Sequence, residues 1–276
     1  MEIRKGCAAI KINDEIVRDY LVGKSIASYR SAWFFQKGHP FTEPSYSAGE
    51  RERAAEVYRA LLATAESFQP LNREVWDALF PGWPTALEDA CVDLVVGFPQ
   101  PYDAMAMRDE AGTYHIILDL LCWTVYLGKG DLQSIARNLL THELCHMLIG
   151  RTAAGIDADL NRGAYADMLD ALTFHEGFAH LVSYGGKELG ETDWSSPQLR
   201  QVRESSRRDL QLALAAGDEA ERAAYLSRAN CGKYYEKFAC MAGMLYLAEQ
   251  WRRGGTAALA ERFQAGYHGF AVQCLR

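Results

Sequence analysis

A chain of 276 residues, 49% hydrophobic and 24% charged, has the balance of a core-forming globular protein, large enough for one domain or two lobes. Its net charge of −7, with no Lys/Arg run, argues against a nucleic-acid partner. No 18-residue apolar run suggests a membrane span, the opening MEIRKGCAAIKINDE is no secretory signal, and seven scattered cysteines without a CxxC pair read as reduced thiols of a cytoplasmic protein.

In chain order, residues 14–25 suit a short helix, and Trp33-Phe34-Phe35 before Gly38-His39-Pro40 forms an apolar anchor leading into a loop, with His39 on the surface. Ser47 and Glu50 have capping-box spacing. The helix they open, 51–68, places Ala54, Val57, Leu61, Leu62 and Ala65 on one side and ends at Pro70. A short helix over 72–79 follows, closed by the turn Pro81-Gly82-Trp83-Pro84. The β-branched run 92–98 predicts a strand, and residues 103–107, 108–112 and 113–120 predict a hairpin. The first arm of that hairpin is short and small-residued, as an exposed sheet edge would be. Such an edge can hold an extended peptide by strand addition.

Residues 131–150, DLQSIARNLLTHELCHMLIG, predict a helix with Asp131 as N-cap, Leu132, Ile135, Leu139 and Leu140 on its apolar side, and Gly150 as its stop. Within it stands His142-Glu143-Leu144-Cys145-His146, an HExxH pattern. Residues four apart share a helix face, so the two imidazoles suit two positions around a tetrahedral zinc. Glu143 lies one step around the helix, where its carboxylate can reach a water beside such an ion. A polar connection over 151–163 leads to a helix over 164–184 that carries His175, Glu176 and His180. Adjacent positions point about 100° apart, so His175 and Glu176 do not share one metal. His180, one turn beyond Glu176, is better placed to hydrogen-bond a ligand than to replace it. Gly177 costs a helix interior about 1 kcal/mol relative to Ala, which implies close approach to a neighbour. Helices over 196–216, 219–229, 233–253 and 256–265 complete the chain, with Gly254-Gly255 breaking the last pair.

No repeat or linker divides the chain. The expected fold class is α+β over 1–276: a small mixed sheet packed on the HExxH helix within sub-lobe 1–150, and a mainly helical sub-lobe over 151–276.

This succession of strand, edge strand, turn, strand, HExxH helix and downstream Glu-bearing helix resembles the gluzincin group of zinc metallopeptidases. Glu176-Gly177-Phe178-Ala179 is similar to the Glu-Gly-x-Ala ligand segment of several members, and the likeness covers residues 91–185. The metzincin extension is absent, with Ile149 and Thr152 where it needs Gly and His. The resemblance implies one Zn2+ per chain on His142, His146 and Glu176, with Glu143 as general base of peptide-bond hydrolysis and a peptide or protein as substrate. It also implies a Tyr or His that stabilises the oxyanion; Tyr234, Tyr235 and His268 are candidates, Tyr235 first among them. Two alternatives are a zinc hydrolase acting on another bond and a catalytically silent zinc-binding protein. The second would have no need of Glu143.

Overall fold

A computed structural model describes residues 10–100 and 102–276. Among these residues the fold is mixed α+β, a four-stranded sheet with the rest largely helical. The chain first forms β1 (Lys11–Asn13), α1 (Glu15–Leu21), α2 (Trp33–Lys37) and α3 (Ala48–Glu66). Two short helices, α4 (Arg73–Leu79) and α5 (Trp83–Ala86), precede β2 (Ala90–Val95), β3 (Ala104–Arg108), β4 (Tyr114–Asp119) and α6 (Leu120–Trp123). Then come α7 (Leu132–Thr152), α8 (Ile156–Arg162), α9 (Tyr165–Ser183), α10 (Pro197–Leu214), α11 (Glu219–Ala229), α12 (Phe238–Gln264) and α13 (Phe270–Gln273). Two compact units result. The first runs to Pro70 and resumes over Gly82–Glu143; the second comprises Leu71–Pro81 and Leu144–Arg276. The division falls inside the continuous helix α7.

In the first unit the sheet order is β1-β2-β4-β3, with β1, β2 and β4 parallel and β3 antiparallel to β4. β3 thus ends the sheet, as the short hairpin arm predicts. β2 and β4 are buried along their whole length, which explains runs without polar alternation. β1 is absent from the sequence reading: three residues, Lys11 and Asn13 exposed, carry no strand signal. The strand expected over 92–98 stops at Val95, because the Asp119 carboxylate takes the next backbone donors. Its Oδ2 accepts the N–H groups of Gly97 (2.7 Å) and Phe98 (2.8 Å), while Oδ1 accepts that of Cys122 (3.0 Å) and caps α6. On α3 the Ser47 hydroxyl caps the Glu50 N–H, and Ala54, Val57, Leu61 and Ala65 are buried as the periodicity requires. Leu62 is only half-buried; Thr64 lies on the covered side instead.

The second unit is built on α9 and α12, which pack along one another. Gly177 and Gly243 meet at their crossing: a Cβ built on Gly177 would lie 2.9 Å from the Gly243 Cα. The glycine inside a helix therefore has the packing reason its cost implies. α8 replaces part of the expected polar connection, anchored by the single buried Ile156, too short a pattern to show periodicity. α12 begins at Phe238, later than expected, because Tyr234–Glu236 form a 3-10 turn; Gly255, at φ 63°, breaks it where the Gly pair predicts a break. Asn72 sits in the left-handed region at φ 55° and ties α4 to the end of α9. Its side chain donates to the Val182 (2.9 Å) and Lys187 (3.2 Å) carbonyls and accepts the Leu189 N–H (2.6 Å).

Candidate metal centre

α7 starts where its sequence says. The Asp131 carboxylate accepts the Ser134 (3.1 Å) and Gln133 (3.3 Å) N–H groups, two of the donors a helix start leaves unsatisfied. Leu132, Ala136, Leu140, Leu144, Met147 and Leu148 are buried along it. The helix passes Gly150 by one short step and ends at Thr152. Its first half is fastened within the first unit: Arg137 donates to the Gln69 (2.7 Å) and Pro70 (2.9 Å) carbonyls, and the Tyr114 hydroxyl donates to the Glu143 carbonyl at 3.1 Å. His142, Glu143 and His146 follow on this helix, all half-buried.

The nearest donor atoms of His142, His146 and Glu176 lie within 4.8 Å of one another. His146 Nε2 stands 3.7 Å from Glu176 Oε1, and His180 Nε2 stands 3.5 Å from Glu176 Oε2. Of the three candidates on α9, Glu176 thus joins the HExxH imidazoles and His180 flanks its other oxygen. His175 does neither. Its ring lies flat on that of His146, centroids 4.1 Å apart at 14°, and burial holds its imidazole pKa below the ordinary value.

Glu176 and His180 also form a second group with Cys240 of α12, again with donor atoms within 4.8 Å. Burial first, and the Glu176 carboxylate next, push the Cys240 thiol far above its usual range. A third group, Cys91, Asp93 and His115, lies in the first unit on neighbouring strands, where Cys91 is paired with His115 in register. It is closed by hydrogen bonds: His115 Nδ1 to Asp93 Oδ2 at 2.6 Å, and Asn13 Nδ2 to Asp93 Oδ1 at 2.9 Å. Asp109 stands 3.4 Å from the other ring nitrogen, and burial raises the Cys91 thiol to about 12. Among the described residues these three groups could hold a metal ion.

The candidate oxyanion residues fall in different places. The Tyr235 hydroxyl is 3.0 Å from that of Tyr184. Tyr234 stands edge-on to His180 with ring centroids 5.3 Å apart, which puts it, rather than Tyr235, against the cluster. His268 is exposed, 3.5 Å from Asp167 and against the Tyr267 ring. His39 stacks on Tyr102, centroids 3.4 Å apart, and is half-buried. Three members of these groups escape sequence reasoning. Cys240 lies in an apolar helix with no spacing signal, and Cys91 and Asp93 meet His115 only through strand register.

No helix among the described residues is long and apolar enough to cross a membrane. No protein-family model matches the chain, and neither a curated protein nor a solved structure matches it.

Proposed function

We propose that this chain is a zinc-dependent peptidase of gluzincin type, with His142, His146 and Glu176 holding the ion and Glu143 acting as general base. The observation that carries the reading is the meeting of the HExxH imidazoles with a carboxylate from another helix, in a half-buried setting. Two nitrogens and one carboxylate are a donor set that zinc accepts while keeping a position open. Around a tetrahedral zinc, neighbouring nitrogen and oxygen ligands stand about 3.4 Å apart, and His146 and Glu176 stand 3.7 Å apart, too far for a hydrogen bond and near that edge. When bound, zinc would supply Lewis acidity, favouring deprotonation of a water and polarising a carbonyl.

The remaining chemistry belongs to the chain. The Glu143 carboxylate takes a proton from the attacking water and delivers it to the leaving amine nitrogen. Glu143 is what a merely structural ion site would not require. His180 stands 3.5 Å from the far oxygen of Glu176, where its ring limits the settings open to that carboxylate. Tyr234 supports the developing oxyanion better than Tyr235, whose hydroxyl is engaged by Tyr184. An extended peptide is the favoured substrate class because β3 ends its sheet with main-chain groups able to pair with another strand.

The test is elemental analysis of protein purified without added zinc, followed by a peptide-library cleavage screen. Zinc at the HExxH centre and peptide cleavage abolished by Glu143→Gln are the expected results. No metal in the protein and no tight uptake on titration would end the reading. Hydrolysis of another acyl or amide bond, with peptides untouched, would move it to a non-peptidase zinc hydrolase.

A further inference from the structure

Glu176 turns its two oxygens to different partners within the second unit, Oε1 to His146 and Oε2 to His180. Beside His180 stands Cys240, and the donor atoms of Glu176, His180 and Cys240 all fall within 4.8 Å. The imidazole–carboxylate separation differs between this group and the one in the first unit. An N–H···O bond spans about 2.7–3.2 Å, whereas two ligands of one zinc-class ion stand about 3.4 Å apart. His180 and Glu176, at 3.5 Å, match the second spacing. Asp93 and His115 in the first unit, at 2.6 Å, match the first, and that group therefore needs no ion.

We infer that the second unit has a further cation position, formed by Glu176 Oε2, His180 Nε2 and Cys240 Sγ, with Glu176 bridging it to the ion on His142 and His146. The bridge rests on the reading of the first centre given above. A thiolate, an imidazole and a carboxylate select a zinc-class ion over magnesium or calcium. The two ligand-bearing helices are held together by the Gly177–Gly243 contact, which makes the position a fixed one. As a thiol, Cys240 hydrogen-bonds the Glu176 carboxylate and faces the Ala229 carbonyl oxygen at 3.7 Å. Coordination replaces the thiol proton, which passes to solvent. Two divalent ions against two anionic ligands, Glu176 and the Cys240 thiolate, leave uncompensated positive charge. The second ion therefore binds more weakly than the first.

Cobalt titration of metal-free protein tests this, because only a thiolate ligand gives a sulfur-to-cobalt charge-transfer band in the near ultraviolet. In the wild type two ions bind and the band grows with the second. In His142→Ala one ion binds and the band remains; in Cys240→Ala one ion binds without it. Two outcomes overturn the inference: a wild type that takes one ion and shows no band, or a band that survives in folded Cys240→Ala. Should Cys240→Ala not fold, the wild-type and His142→Ala titrations decide alone. A wild type that binds no cobalt at all sinks the first centre together with the second.

Discussion

Replacing Gly177 or Gly243 with alanine sets two effects of opposite sign against each other, and the structure decides between them. Helix propensity favours each substitution by about 1 kcal/mol. Against that, a Cβ on Gly177 would meet the Gly243 Cα at 2.9 Å and the Gly243 carbonyl carbon at 3.0 Å; one on Gly243 would press harder still, on the Thr173 carbonyl oxygen. These are backbone atoms, which no rotamer change can move aside. Overpacking costs about 1–3 kcal/mol, and with unyielding backbone on both sides the upper part, about 2–3 kcal/mol, applies; less the propensity gain, the expected net loss is about 1–2 kcal/mol for Gly177→Ala and larger for Gly243→Ala. At about 2–4 °C per kcal/mol, Gly177→Ala should lower the melting temperature by about 2–8 °C. It should also weaken metal binding, since parting α9 from α12 displaces Glu176, the preceding residue. The control is Gly49→Ala on α3, where nothing lies within 4 Å of the new methyl; stability should rise there by up to about 1 kcal/mol. Paired scans with and without zinc read both effects. A Gly177→Ala protein that melts as high as the wild type, with unchanged metal affinity, would refute the argument.

Glu143→Gln should retain zinc, by elemental analysis, while peptide cleavage falls at least about 10²-fold. Glu176→Ala should lose both zinc and activity; His175→Ala, lacking only a stacked neighbour, should keep both. His180→Ala should weaken affinity for the first ion on the order of 10–100-fold, by competition with a chromophoric chelator. Asp119→Ala leaves three backbone N–H groups without their carboxylate and should cost about 3–5 kcal/mol in denaturant unfolding, the buried donors setting the scale. Asn72→Ala loses three side-chain hydrogen bonds at a left-handed position, φ 55°, that alanine tolerates less well than asparagine; about 2–4 kcal/mol is expected from the same assay.

What could be read from the chain was whatever repeats at short range. The α7 helix shows itself through Asp131 and its apolar spacing, the hairpin through its turn, and α10 through Ser196 before Pro197. Glu176 could be singled out because Gly177 follows it, and the close helix crossing gives that glycine its reason. Long-range pairing left no local mark. β1 is joined to the sheet only by β2, and the backbone donors at 97–98 leave the strand for a carboxylate more than twenty residues on. Cys240 reaches Glu176 only once α12 has packed on α9. Tyr234 and Tyr235 are adjacent, and no pattern says which of them turns toward His180.

The second unit is interrupted in sequence: α4 belongs with helices that begin more than sixty residues later. During synthesis α4 emerges with Val75, Trp76, Leu79 and Phe80 ready to bury, but Phe263, against which Phe80 packs edge-on at 5.1 Å, follows roughly 180 residues later. At translation rates of about 5–20 residues per second, that apolar face waits about 10–40 s for its cover. Closing the loop from Asn72 to Leu189, 117 residues apart, adds an entropic barrier of about 4 kcal/mol that no local turn relieves. The nascent chain thus carries an exposed aromatic ridge until Phe263 has been made, the kind of surface on which holding chaperones act.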